Sequence, residues 1–411
     1  MPILDNFDKP PGDGDTPQHK DPAFVARSEG GRLFTLDALR EQITAQFEAE
    51  TAGRIDILAE AAAPEARRAL LLESVDYVLA VESVRITREE KARLVDAVYA
   101  DVFSFGPLAP HLNDETITEI SINGPGEVHA RHGFDKPARM PVRFDDHAHL
   151  HALVERQLAL HGAQMVDWHY FLEVGVEVGG RPARLSIITP PVTPHLQVEL
   201  RLHPRQPRTL DALTTSGVLD AETAQAITGH LAERRGLLVV GDVGAGKTTL
   251  LGALLDVLPG RVALVQRAAE IRPPEGARAL NAFPPGEDAP GRTVDDCVGE
   301  ALGETPPPDW LVIDEVRDDA AGGAWAALNA AGANNVWCFR GESEPARIRS
   351  ALNMLLRRAP QAMGLEQAAI DRLIAERLPL AALLAVREGA PRVVGLADFV
   401  LDDGELALRP R

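Results

Sequence analysis

Leu237-Leu238-Val239-Val240-Gly241-Asp242-Val243-Gly244-Ala245-Gly246-Lys247-Thr248-Thr249-Leu250 decides how this chain is read. Four apolar residues suit a short buried strand, Gly241 to Thr248 fits G-x-x-x-x-G-K-[ST] at every fixed position, and a helix-forming run follows to Leu258. Gly241, Gly244 and Gly246 let the backbone fold tightly enough for its N–H groups, with those of Ala245 and Thr249, to converge on phosphate oxygens. The positive end of the following helix strengthens that field. In such a loop Lys247 reaches the β- and γ-phosphates of a nucleoside triphosphate and Thr248 ligates Mg²⁺.

Downstream, Asp309-Trp310-Leu311-Val312-Ile313-Asp314-Glu315-Val316-Arg317 is an apolar strand ending in two acids. Asp314 is expected to support the Mg²⁺ shell and Glu315 to orient and polarise the attacking water. Further strands at Leu237–Val240 and Val262–Val265, with helices at Thr248–Leu258 and Ala321–Ala330, predict a doubly wound α/β domain over 209–411. Upstream, Ile117, Ile120 and Ile122 lead into the turn Asn123-Gly124-Pro125-Gly126. A helix capped by Asp145 or Asp146 follows, then short strands around the Gly179-Gly180 turn, predicting a compact α/β domain over 105–208. Helical periodicity with a Thr87–Glu90 capping box predicts a small bundle over 33–104. Residues 1–32, rich in Pro, Gly and Asp, are expected to form a disordered tail.

Composition narrows the class. Among 411 residues, 42 Lys and Arg against 61 Asp and Glu give a formal charge of −19, which disfavours non-specific binding to nucleic acid. No apolar run approaches the ~18 residues of a spanning helix; the stretch Leu378 to Val386 is shorter and contains Pro379. The first thirty residues lack a signal peptide's basic start and apolar core, and two cysteines, Cys297 and Cys338, make no disulfide framework. These features predict a protein of a reducing compartment without a membrane span. His147, His149 and His151 alternate, and His147 and His151 share a helix face that could bind metal with Asp146 or Glu155; exposed polar positions are the simpler reading.

The chain resembles the traffic ATPases of type II and type IV secretion and of type IV pili, most closely the CpaF/TadA-like branch of tight-adherence (Tad) pili. The resemblance is carried by the phosphate loop, by Phe105-Gly106-Pro107-Leu108, Asp114, Ile120 and Asn123-Gly124, and by Arg184, Pro190-Pro191 and Arg201. Glu315-Val316-Arg317 matches a Glu-x-Arg signature, and Ala351 to Leu355 and the Val386-to-Val400 region resemble the family's carboxyl end. It implies a RecA-like P-loop domain preceded by a small α/β, PAS-like domain and a short helical bundle. It also implies ATP with Mg²⁺ at the junction of the domains, and a homohexameric ring on the cytoplasmic face of a bacterial inner membrane. Hydrolysis would then drive a platform protein in that membrane, with no specific nucleic acid as partner. By the same resemblance Arg184 and Arg201 close over the γ-phosphate and Glu270 assists water or metal positioning.

Two family boxes differ. An acid pair has become Gln266-Arg267, with Glu270 remaining, and Ala333 and Gly341 stand where histidines are expected. Neither Ala nor Gly offers a side-chain donor, which leaves Asn334, Asn335 or Arg340 as substitutes. Two functions follow: an ATP-hydrolysing motor subunit, or a paralogue that binds nucleotide as a structural or regulatory subunit without turnover. A generic P-loop kinase is a third, for which no acceptor-site signal is visible.

Overall fold

A computed structural model of the protein describes residues 25–28, 30–51, 61, 63–287, 290–342 and 344–411. The chain divides into two compact units after Val102. Of the segment expected as a tail, residues 1–24 lie outside the described residues. The remainder differs from expectation. β1 (Val25–Arg27) pairs antiparallel with β2 (Leu33–Thr35). The glycine that suggested disorder instead closes the turn: Gly31 takes a φ of +82°, and Arg32 N–H donates to Ser28 Oγ at 3.0 Å.

Three helices complete the first unit: α1 (Leu36–Thr51), α2 (Pro64–Val81) and α3 (Arg88–Phe103). Each buries residues at helical spacing, such as Leu39, Ile43 and Phe47 on α1 and Leu71, Val75 and Val78 on α2. Thr87 and Glu90 form the reciprocal cap of α3. Glu90 N–H donates to Thr87 Oγ1 at 3.2 Å, and Thr87 N–H donates to Glu90 Oε2 at 2.7 Å.

The second unit holds two sheets. The first is six-stranded and antiparallel: β3 (Ile117–Asn123), β4 (Val128–His132), β5 (Ala138–Arg139), β6 (Phe171–Val178), β7 (Arg181–Ile188) and β8 (Gln197–Leu202) lie in the order β5-β4-β3-β8-β7-β6. Gly179 and Gly180, both at positive φ, join β6 to β7. Alternation sorts the side chains. Leu172, Val174, Leu185, Ile187, Val198 and Leu200 pack into one core with Leu150, Leu153, Val154 and Leu158 of α4 (His147–Leu160). Asp146 caps α4 by accepting from His149 N–H at 2.8 Å. The intervening residues, Glu173, Arg184 and Arg201 among them, turn to the opposite face.

After α5 (Leu210–Thr215) and α6 (Ala221–Ala232) comes the larger, eight-stranded sheet. Its strands are β9 (Leu237–Gly241), β10 (Val262–Gln266), β11 (Arg278–Asn281), β12 (Trp310–Val316), β13 (Asn334–Arg340), β14 (Leu380–Arg387), β15 (Ala390–Asp402) and β16 (Glu405–Pro410). Their order is β11-β10-β12-β13-β9-β14-β15-β16, parallel as far as β14, with the last two strands antiparallel. β9, β10 and the first half of β12 are fully buried, as their apolar runs require. α7 (Lys247–Leu255) packs on one side of this sheet. α8 (Val294–Leu302), α9 (Ala321–Asn329), α10 (Pro345–Leu356) and α11 (Gln367–Arg377) pack on the other. This is the doubly wound, RecA-like α/β arrangement expected. Among the described residues, no helix is long and apolar enough to cross a membrane.

Candidate functional site

A cleft of about 630 Å³ opens where the carboxyl ends of β12 and β13 and the phosphate loop meet the polar face of the six-stranded sheet. β9 ends at Gly241, whose missing side chain matters: a Cβ there would lie 2.8 Å from Leu384 O on the neighbouring strand. The loop then turns through Gly244 (φ +76°) and Gly246 (φ +91°), and Gly246 caps α7. Ala245 is buried beneath the loop. Lys247 and Thr248 face the cleft, and Lys247 Nζ donates to the carbonyls of Gly241 and Asp242, both at 3.0 Å. Burial draws the Lys247 ammonium below its ordinary pKa, and the Arg201 charge adds to the effect. Thr249 does not reach the main cleft; it borders a small recess with His203, Pro207 and Glu270.

From the other wall come the arginines. Strand pairing sets Arg184 directly opposite Arg201, in one cross-strand row with Gly175 and Glu119. Two guanidiniums side by side repel, and acids from both sheets offset them. Arg184 Nη1 lies 3.3 Å from Glu173 Oε1 and 3.9 Å from Glu315 Oε2; its Nε lies 3.2 Å from Glu270 Oε1. Burial opposes the Arg184 charge, yet Glu270 and Glu173 overcome it and hold its pKa above the usual value. Glu270 is itself buried. Burial works against its charge, but His203, with Nε2 at 3.3 Å, and Arg184 hold its carboxyl well below the usual range.

Asp314, also buried, behaves in the opposite way. Burial and then the Glu270 charge push its pKa up to about 8, against the hydrogen bonds that Arg267 N–H donates to both carboxylate oxygens at 3.2 Å. Glu315 accepts from Arg317 Nη2 at 2.6 Å, while Arg317 Nη1 donates to Glu173 Oε2 at 2.9 Å. The donor set fits a hard cation and a polyphosphate: the Thr248 hydroxyl and the Asp314 carboxylate share the cleft with five cationic side chains, Arg184, Arg201, Lys247, Arg317 and Arg340. Glu270 Oε1 and Arg184 Nε are buried and paired only by charge, off the line of a hydrogen bond, so a bound polar group would satisfy them.

The residues standing in place of the family boxes have separate fates. Gln266 is a structural clamp: its Oε1 accepts from Ile271 N–H at 2.7 Å and its Nε2 donates to Ile271 O at 3.0 Å. Arg267 makes a bidentate pair with Asp319, both bonds at 2.7 Å. Asn334 and Asn335 lie at the far end of β13, donating to Asp309 O and Ala327 O, and do not line the cleft. Ala333, just before them, is buried at that same end. Arg340 does line the cleft, with Nε 3.8 Å from Asp242 Oδ1 of the phosphate loop. A donor is therefore present one residue before Gly341. Sequence reasoning gave no role to Glu173 or His203; alternation along β6 is the signal that points to Glu173, and His203 follows the end of β8.

The alternating histidines of α4 go separate ways. His149 Nδ1 lies 3.1 Å from Asp145, His151 Nδ1 lies 3.3 Å from Glu155, and His147 packs against His195 with ring centroids 4.8 Å apart. Cys338 is wholly buried on β13, and that burial raises its thiol pKa.

A profile of the family described as "Type II/IV secretion system protein" matches residues 102–333. Two Mycobacterium tuberculosis relatives (strains CDC 1551 / Oshkosh and ATCC 25618 / H37Rv), each named "Putative conjugal transfer protein", are 31% identical over 330 residues, covering 74% of this chain and 91% of theirs. Among solved structures, the VirB11 ATPase of the Brucella suis type IV secretion system is 20% identical with a TM-score of 0.35, over 72% of this chain and 96% of that one. The Legionella pneumophila ATPase DotB is 20% identical with a TM-score of 0.48, over 72% and 79%.

Proposed function

This chain belongs to the type II/IV secretion system protein family, and on that premise we propose that it is a Mg²⁺-dependent ATPase, the motor subunit of a secretion or pilus-assembly machine. The observation that carries the reading is convergence. Lys247 and Thr248 of the phosphate loop, Asp314 and Glu315 of β12, Glu270, and Arg184 and Arg201 of the other sheet line one cleft.

In this reading the loop amides from Gly241 to Thr249 and the Lys247 ammonium bind the phosphates, and Arg184 and Arg201 approach the γ-phosphate from the facing sheet. Thr248 and Asp314 would hold Mg²⁺, whose charge would favour the ionised Asp314 against the burial that raises its pKa and would offset phosphate charge. Glu315 orients and polarises the attacking water, and Glu270, kept ionised by His203 and Arg184, helps to position it. Arg340 supplies the side-chain donor that Ala333 and Gly341 lack. The partners proposed are further copies of the chain, as a hexamer, and a platform protein in a bacterial inner membrane. The protein would lie on the cytoplasmic face. Its machine is a Tad or type IV-like pilus by sequence resemblance, with conjugal transfer, the name borne by the mycobacterial relatives, as the neighbouring reading.

One assay tests the proposal: phosphate release from Mg²⁺-ATP measured against protein concentration, with particle mass followed in parallel. Turnover that rises with assembly and disappears in Glu315→Gln is expected. ATP binding with no release above the Lys247→Ala background, even at concentrations where the chain assembles, would assign it to the paralogue that holds nucleotide without turnover.

A further inference from the structure

We propose that Glu173 is a positioning residue that competes with the γ-phosphate for Arg184, so that the cleft discriminates triphosphate from diphosphate through displacement of this one carboxylate. The proposal rests on the ATP reading of the cleft given above. Glu173 lies on β6, on the face turned to the cleft, and both it and Arg184 are only 12% exposed. Its two oxygens have different partners: Oε1 is 3.3 Å from Arg184 Nη1, and Oε2 accepts from Arg317 Nη1 at 2.9 Å. Arg317 in turn donates to Glu315 at 2.6 Å. A single carboxylate thus ties the guanidinium proposed to meet the γ-phosphate to the arginine that holds the water-orienting acid.

Charge arithmetic makes this tie conditional. The five cations of the cleft share it with Glu173, Glu199, Glu270, Glu315 and the buried Asp314, whose pKa is raised. A triphosphate brings more negative charge than one Mg²⁺ cancels, and that surplus is repelled by the carboxylates lining the cleft. Glu270 is held by His203 as well as Arg184, and Asp314 by the Arg267 amide. Glu315 keeps Arg317 at 2.6 Å and lies farther from Arg184, at 3.9 Å, whereas Glu173 lies 3.3 Å from the Arg184 that the γ-phosphate is proposed to meet. A phosphate oxygen on Arg184 repels it and frees Arg317 from β6. β6 itself is poorly placed to follow, because a Cβ at Gly175 would already lie 2.7 Å from the Ala268 carbonyl carbon. A diphosphate has no γ-phosphate to start this exchange, so the Glu173 tie persists.

The test is calorimetric titration of the full chain with Mg²⁺ and either a non-hydrolysable β,γ-imido ATP analogue or ADP. Glu173→Gln keeps the shape and removes the charge. It is expected to bind the ATP analogue at least fivefold more tightly than the parent, with ADP affinity within twofold, and Glu173→Asp is expected to keep the parent's ratio. Glu173→Ser, a second charge-removing variant, is expected to repeat the shift and guards against misfolding of the first. An unchanged ratio in both charge-removing variants, or parallel changes for the two nucleotides, overturns the proposal while leaving the ATP site standing. A parent protein that binds neither nucleotide overturns the ATP reading and this proposal together.

Discussion

Lys247 and Glu315 line one cleft but are expected to fail differently. Lys247→Ala removes a charge-assisted donor to phosphate, worth about 1.5–3 kcal/mol, so ATP affinity should fall roughly ten- to hundredfold by titration. Glu315→Gln keeps the volume and the hydrogen bond from Arg317 but loses the base; binding should survive while turnover falls by about 100-fold or more. Arg340→Ala is expected to lower turnover about tenfold with ADP affinity unchanged, because its guanidinium is proposed to serve the γ-phosphate alone. These phosphate-loop and β12 residues were legible in the sequence because their spacing is local. The bond from Arg317 to Glu173 was not, since 144 residues separate the partners and only tertiary closure brings them together. Strand direction separates Arg340, which lines the cleft, from Asn334 and Asn335, which do not. In a parallel sheet the site gathers at carboxyl ends, and Arg340 is the residue of the three at that end.

Two elements carry constraints that their propensities do not reveal. On β6, Gly175 lets the strand touch the Ala268–Ala269 backbone, so Gly175→Ala must push the two sheets apart. Overpacking of this kind costs about 1–3 kcal/mol. Thermal unfolding should show that loss, and turnover should fall as Arg184 is drawn away from Glu270. At the end of α6, buried His230 hydrogen-bonds through Nε2 to Gly236 O at 2.9 Å, stapling the helix to the approach of β9. Burial holds its pKa below 6.5 against the opposing Gly236 hydrogen bond, with Arg235 and Arg411 adding to the effect and Asp398 opposing it. The sign follows from proton counting: below 6.5 the unfolded chain takes up a proton that the native imidazole refuses. This contribution to stability is therefore complete above 6.5 and is lost as pH falls towards the lower native value. Melting temperatures measured between pH 5 and 8 should drop on the acid side in the parent and drop less in His230→Gln. The α6 pattern itself was readable as a helix; that its histidine is a staple depends on where the chain turns after Arg235.

Across the molecule, each sheet of the second unit is a complete packed layer, yet neither makes the site alone. The eight-stranded sheet supplies the phosphate loop with Asp314 and Glu315; the six-stranded sheet supplies Arg184, Arg201 and Glu173. Strand order adds a further dependence. The strand that carries the phosphate loop, β9, has β13 on one side and β14 on the other. Both come after residue 333. Pro391, later still, lies against the turn at Gly246, where an added Cβ would approach it to 3.0 Å. A polypeptide ended at Ala333 would thus own every residue of the G-x-x-x-x-G-K-T loop and of the Asp-Glu pair, yet its central strand would be a bare ribbon flanked by water. Such a fragment should show no nucleotide heat, and any melt it keeps should belong to the segments before β9. The last 78 residues are the keel that keeps the nucleotide loop upright.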